Sequence, residues 1–195
     1  MGAVSVADEV VKYSRLLYER GHLTLLSGNL SALADGLVVV TPTSFPKPFL
    51  EPSDLVWIDM EGRVVRGVRR PTSEWRMHVA VYKARPDVGA VVHTHDVLPV
   101  LLAERIDASL LSEAEAYLGS EIAVVPYITP GTAELAEAVA SALRRSNVAI
   151  LKRHGVVAVG RDLAEAVNRV EVIADLAKAT FYNMVLGLWS AGRGV

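Results

Sequence analysis

A mixed α/β fold, with helices covering a mixed or antiparallel β-sheet, is what this 195-residue sequence predicts. Three observations predict it. Short apolar β-like runs recur along the chain at 37–41, 89–95, 122–125, 148–151 and 156–159, each ended by a turn residue or a histidine. Segments with helical spacing and capping residues lie between them. Residues 55–59 and 63–68 form two β runs joined through Glu61-Gly62, a hairpin signature that implies antiparallel pairing. With 51% hydrophobic residues and no linker, repeat or low-complexity block, residues 1–195 suit one compact domain with a substantial core.

Each element has a local reason. Residues 5–20 read as a helix: Ser5 can cap it, Asp8 stands in the first turn, and Gly21 ends it. Ser27-Gly28-Asn29 is small and polar, either an ordinary tight turn or a cradle of amides for an anion. The run at 37–41 ends in a second hydroxyl-rich turn, Thr41-Pro42-Thr43-Ser44. Pro71-Thr72-Ser73-Glu74 opens a helix to about Arg85, with Thr72 or Ser73 as cap and His78 inside it as a packing or surface residue. Leu98–Leu102 is apolar and helical, and 110–119 is ambiguous between loop and helix. Thr132 caps a helix at 133–145. Asp162 with Glu165 starts a longer one reaching about Leu186, with a frayed tail from Trp189.

The chemistry centres on His93-Thr94-His95. Alternate residues of a strand share a face, so these two imidazoles can reach one ion. His154 follows another apolar run, and Glu74 lies upstream. Three neutral imidazoles plus a carboxylate or water suit a catalytic zinc site. Cysteine is absent, so disulfides and thiolate ligands are excluded and any metal must use N and O donors. The hydroxyl pair Thr72-Ser73 at a helix start suits phosphate, although Glu74 there could simply complement the helix dipole. A net charge of −2 gives no basic field for nucleic acid. No apolar run approaches a bilayer span, and the first residues lack the features of a secretion signal, so a cytoplasmic protein with no membrane partner is expected.

Taken together, Ser27-Gly28-Asn29-Leu30-Ser31, Thr41-Pro42-Thr43, Ser73-Glu74-Trp75-Arg76, Ala90 to His95, Pro126-Tyr127 with Gly131-Thr132, and His154-Gly155 resemble class II, zinc-dependent aldolases of the fuculose-1-phosphate type. The resemblance runs from about residue 7 to 186. It implies a single three-layer αβα domain, a homotetramer with sites near subunit boundaries, and one Zn2+ or other divalent ion per subunit. It implies His93, His95 and His154 as metal ligands, and Glu74 as the catalytic carboxylate that also ligates the resting metal. Gly28, Asn29, Thr43, Ser44, Thr72 and Ser73 would hold the substrate phosphate through neutral donors, in keeping with the lack of a clear Lys or Arg clamp.

The implied reaction is reversible cleavage of a ketose 1-phosphate to dihydroxyacetone phosphate and a short aldehyde. The same scaffold also carries methylthioribulose-1-phosphate dehydratases and pentulose-phosphate 4-epimerases, and non-catalytic adducin-like interaction domains. Two departures from the family pattern stand out. Ser44 replaces a glycine, and the region of the second proton donor holds Glu113 and Glu115 with Tyr117 slightly late, so Glu113 and Tyr117 are both candidates for that role.

Overall fold

The computed structural model describes residues 5–119 and 121–191. Eight strands among them join one sheet in the order β4-β3-β2-β1-β5-β8-β7-β6. In chain order these are β1 (Asn29–Ala34), β2 (Leu37–Val40), β3 (Val56–Ile58), β4 (Val64–Arg66), β5 (Ala90–Thr94), β6 (Ala123–Val125), β7 (Val148–Leu151) and β8 (Gly155–Gly160). All neighbours pair antiparallel except β6 with β7, which are parallel.

The helices α1 (Val6–Glu19), α2 (Trp75–Ala84), α3 (Val97–Leu101), α4 (Ala133–Ala142) and α5 (Leu163–Ala191) cover both faces. Val10 and Leu17 of α1 pack with Val170, Ile173 and Leu176 of α5 against Leu30, Val92, Ile150 and Ala158. On the opposite face Met77 and Val81 of α2 and Leu135 and Val139 of α4 pack against Val38, Val91, Ala149 and Val157. Adjacent strand residues such as Val91 and Val92 thus enter different cores, as the two-residue period requires. The result is the expected three layers. The five central strands β1, β2, β5, β7 and β8 are largely buried on both sides, which is why β2, β5, β7 and β8 read as continuous apolar runs.

Local differences from the sequence expectations have physical causes. The capping box of Ser5 with Asp8 forms as read. Thr132 caps α4 by accepting from the Leu135 amide. The helix expected from Pro71 begins at Trp75, with Glu74 and neither Thr72 nor Ser73 at the N-cap. Thr72 instead bonds across to Thr41, its amide donating to the Thr41 carbonyl at 3.0 Å, which holds it beside the other hydroxyl turn.

The strand β1 was hidden because Asn29-Leu-Ser-Ala-Leu-Ala mixes polar and apolar residues inside a sheet whose two faces are both covered. Residues 110–119 resolve into a 3-10 turn (Ala108–Leu110) and a π-helical turn (Ala114–Leu118). At the start of α5, Asp162 accepts from the Glu165 amide, but the Glu165 carboxylate takes the amide of Arg161 rather than that of Asp162. α5 runs on to Ala191, so residues 189–191 of the expected frayed tail are helical, and 192–195 lie outside the described residues.

Candidate metal centre and phosphate pocket

Antiparallel neighbours of a strand begin where it ends, and this brings the site together. β5 ends at Thr94, β8 starts at Gly155 opposite it, and β1 starts at Asn29 opposite His93. His93 shares the face of Val91, the face covered by α2 and α4. Glu74 stands at the start of α2, and Gly131 lies just before α4. His154 occupies the tight turn between β7 and β8, where Arg153 adopts a left-handed φ of 62° and the His154 amide donates back to Leu151 at 3.0 Å. His95 is the first residue past β5 and sits between two anchored neighbours. Thr94 donates to Asp96 at 2.7 Å, and Asp96 contacts His22 Nδ1 at 3.0 Å.

Three Nε2 atoms converge. His95 Nε2 lies 3.1 Å and His154 Nε2 3.3 Å from His93 Nε2. His93 Nδ1 donates to the Val156 carbonyl at 2.9 Å, which puts the ring proton there and leaves Nε2 a bare lone pair. One lone pair cannot serve both other rings. A tetrahedral ion with bonds of about 2.0–2.1 Å to nitrogen separates its ligand atoms by roughly 3.3 Å, which matches the spacing here. Burial, the largest cause, lowers all three pKa values, that of His154 to about 4. His154 and His95 lower that of His93 as well, His95 lowers that of His154, and Lys47 lowers that of His95. The imidazoles are therefore neutral near pH 7, the state that binds metal. The donor set fits a divalent ion.

Glu74 is buried, and its Oε2 has no partner. Desolvation raises its pKa, and a hydrogen bond from the Gly131 amide partly offsets this. Among the described residues the buried side-chain atoms left without partners are Ser14 Oγ, Glu74 Oε2 and His154 Nδ1. Two of these three residues line a single cavity of about 290 Å3. Such orphans are rare in folded proteins, and here they mark a place that receives something.

The cavity walls carry every residue that the sequence pointed to for phosphate: Gly28, Asn29, Thr43, Ser44, Thr72 and Ser73, together with His95, His154 and Glu74. Gly28 has φ 82°, and a Cβ there would lie 2.9 Å from the His93 carbonyl, so only glycine lets this loop approach the end of β5. Ser44 holds φ 49° without that freedom. The two hydroxyl turns are zipped side by side, with Thr43 N donating to the Arg70 carbonyl at 3.1 Å and Pro42 bridging Pro71.

Glu113 and Tyr117 are not in this cavity. Glu113 is exposed and lines a separate depression with Leu111, Val172 and Tyr182, and Tyr117 is 47% exposed.

One contributor escaped the sequence reading. His78 is fully buried, and its Nε2 lies 2.6 Å from Asn29 Oδ1. Burial lowers its pKa to about 3, so the ring is neutral with a single N–H. An amide oxygen only accepts, so that proton is on Nε2. Nδ1 then accepts from the Ser31 hydroxyl at 2.7 Å, and Ser31 accepts from Tyr82 at 2.7 Å. This relay fixes the Asn29 amide with its oxygen turned inward and its NH2 left for the cavity. The helical spacing of His78 and Tyr82, four residues apart on α2, is the signal that could have suggested it.

Residues 8–181 match the family model described as Class II Aldolase and Adducin N-terminal domain. The chain belongs to that family. It is 39% identical over 173 residues to an L-fuculose phosphate aldolase of Methanococcus vannielii, covering 87% of this chain and 92% of that protein. It is also 39% identical over 155 residues to a 5-methylthioribulose-1-phosphate/5-deoxyribulose-1-phosphate aldolase of Rhodospirillum rubrum, covering 78% of this chain and 69% of that one. A solved L-fuculose 1-phosphate aldolase superposes with TM-score 0.86 at 32% identity, covering 96% of this chain and 90% of that one. As a member of the class II aldolase family, the chain has the family's three-layer fold, and His95 and His154 of its histidine cluster line the cavity with the hydroxyl and amide side chains.

Proposed function

We propose that this protein is a zinc-dependent aldolase that reversibly cleaves a ketose 1-phosphate, of the fuculose 1-phosphate kind, to dihydroxyacetone phosphate and a short aldehyde. The observation that carries the reading is the convergence of three imidazole Nε2 atoms beside a cavity that also holds an unpartnered buried carboxylate and a bed of hydroxyls and amides. His93, His95 and His154 would hold the ion, with Glu74 as a further ligand at rest. A divalent ion there supplies Lewis acidity, withdrawing charge from a carbonyl and lowering the cost of a carbanion beside it.

The chain's own residues do the rest. The side chains of Asn29, Thr43, Ser44, Thr72 and Ser73, and the backbone at Gly28, bind the phosphate and fix the sugar's register along the cavity. The amides ahead of α2 favour an anion there. In the synthetic direction Glu74 takes a proton from the carbon next to the carbonyl, and in cleavage it returns that proton. Its burial suits it to both, because a raised pKa brings the carboxyl nearer the operating pH than an exposed glutamate. In cleavage the C–C bond breaks as the aldehyde-side hydroxyl loses its proton. A second group must take up and return that proton, and Glu113 or Tyr117 of a neighbouring subunit is the candidate. Their exposure away from their own chain's cavity supports that arrangement.

The assembly in this reading is a homotetramer. Phe181, Tyr182, Met184, Val185 and Leu188 on the outer part of α5 are an apolar surface suited to such contacts. The protein would work in the cytoplasm, as one domain. No helix among the described residues is long and apolar enough to cross a membrane.

A second substrate is favoured by the Rhodospirillum rubrum relative: the same cleavage on a 5-methylthio- or 5-deoxypentulose 1-phosphate. The test is dihydroxyacetone phosphate release from fuculose 1-phosphate and from 5-methylthioribulose 1-phosphate, each with and without chelator. Chelator-sensitive release from either supports aldol cleavage. Loss of water without C–C cleavage sinks it in favour of a dehydratase.

A further inference from the structure

Lys47 is the largest fully buried side chain among the described residues, 1% exposed, and nothing assigned so far uses it. It opens the short 3-10 turn Lys47–Phe49 behind the hydroxyl turn that ends at Ser44. Its ammonium donates to the carbonyls of Leu26 and Phe45, each at 3.3 Å, and meets no carboxylate among the described residues. Two carbonyls occupy two of its three N–H groups and leave one uncommitted. Leu26 lines the cavity, and Phe45 directly follows Ser44, which also lines it. The same charge lowers the pKa of His95, after burial, and His95 lines the cavity.

A buried cation without a counter-charge is expensive, and an apolar side chain of similar length would fill the same space at lower cost. Burial alone lowers its pKa to about 8, so the site is paying for a charge that no carboxylate among the described residues neutralises. The cavity in front of it offers hydroxyls and amides, and its carboxylate stands with the metal ligands rather than with the lysine. What completes the arrangement is an anion brought in from outside.

We infer that Lys47 is the cavity's built-in counter-cation, a positioning residue whose fixed charge behind the Leu26 and Phe45 backbone selects phosphorylated over unphosphorylated sugars. This rests on the phosphate-pocket reading above, and it replaces the expectation that neutral donors alone hold the phosphate.

The test exploits two opposite signs. A cation near both a metal and an anion site helps the anion and opposes the metal. Wild type and Lys47→Met, both loaded with zinc, are titrated with inorganic phosphate, and zinc affinity is measured separately by chelator competition. The expected result is about tenfold or greater loss of phosphate affinity, with zinc affinity unchanged or tighter. Turnover should show a raised KM for the phosphorylated substrate with kcat little altered.

Phosphate affinity within about twofold of wild type overturns the inference, and so does a parallel loss of zinc and phosphate, which would mean a structural role. Should Lys47→Met fail to fold, Lys47→Arg and Lys47→Gln decide: the arginine should keep phosphate binding and the glutamine should lose it, and equal binding by both overturns the inference. If zinc-loaded wild type binds no phosphate, the pocket reading fails and the inference falls with it. That outcome is distinct from wild type and variant binding equally.

Discussion

Replacing Gly155 with alanine tests whether the close approach of β5 and β8 builds the histidine cluster. Gly155 follows His154 and faces the end of β5. A Cβ there would sit 2.0 Å from the Thr94 carbonyl oxygen and 3.1 Å from His93 Cε1. Cβ contacts below 3.0 Å do not occur, so the strands must part by about 1 Å at that point. The obstacle is backbone, which cannot swing aside as a side chain would. Overpacking in a tight core costs roughly 1–3 kcal/mol, and a backbone clash belongs at the upper end, about 3 kcal/mol. For a chain of this size that is a fall in Tm of roughly 6–12 °C.

The same opening moves His154 relative to His93. Metal sites tolerate only about 0.2 Å in ligand distance, so zinc affinity should fall at least about tenfold. The assay is urea unfolding of the metal-free protein together with zinc titration against a competing chelator. Gly187→Ala is the control: a Cβ there meets nothing within 4 Å on the exposed part of α5, and alanine should stabilise that helix by about 0.5–1 kcal/mol. If Gly155→Ala is within about 0.5 kcal/mol of wild type and binds zinc equally well, the close-approach argument is refuted.

Glu74→Gln should lose at least about a hundredfold in kcat while keeping its zinc. Its stability should move the other way. The folded-state pKa of Glu74 is raised, so the ionised form is the disfavoured one above that value, and the neutral amide should make the metal-free protein equally or more stable at pH 7, read by urea unfolding. His78 has its folded pKa lowered from 6.5 to about 3, so the unfolded chain binds the proton first and stability drains away as pH falls below about 6.5. At pH 5 this single ring accounts for about 2 kcal/mol, and unfolding of metal-free His78→Gln should be flatter between pH 7 and 5 by that amount. Ser44→Gly should relieve the left-handed strain at φ 49° and raise stability by about 1 kcal/mol, while phosphate affinity falls if the Ser44 hydroxyl is a donor.

Much of the site was legible because it is made of short motifs at strand ends. His93-Thr94-His95 closes β5, His154 precedes β8, and the two hydroxyl turns flank β2 and α2 in sequence as they do in space. What could not be read required a partner from far along the chain. His78 read only as a packing or surface residue because its significance lies in Asn29, 49 positions away. Lys47 drew no notice, because nothing local announces that it will be buried against the carbonyls of Leu26 and Phe45. β1 was obscured for a related reason: Ser31 looks polar, yet its hydroxyl is consumed by His78 and Tyr82 inside the core. The helix start at Trp75 was misplaced because Thr72 uses its backbone to join the two turns and leaves the helix end to Glu74.

The central claim is that His93, His95 and His154 close around one divalent ion on which turnover depends. Zinc content and dihydroxyacetone phosphate release should be followed together as the purified protein is stripped with chelator and then reloaded, alongside His93→Ala. The account predicts one zinc per chain, activity that falls and returns in proportion to bound zinc, and a His93→Ala protein that is folded, metal-poor and inactive. Full turnover by the metal-free protein, or a His93→Ala variant that retains its zinc, would contradict it.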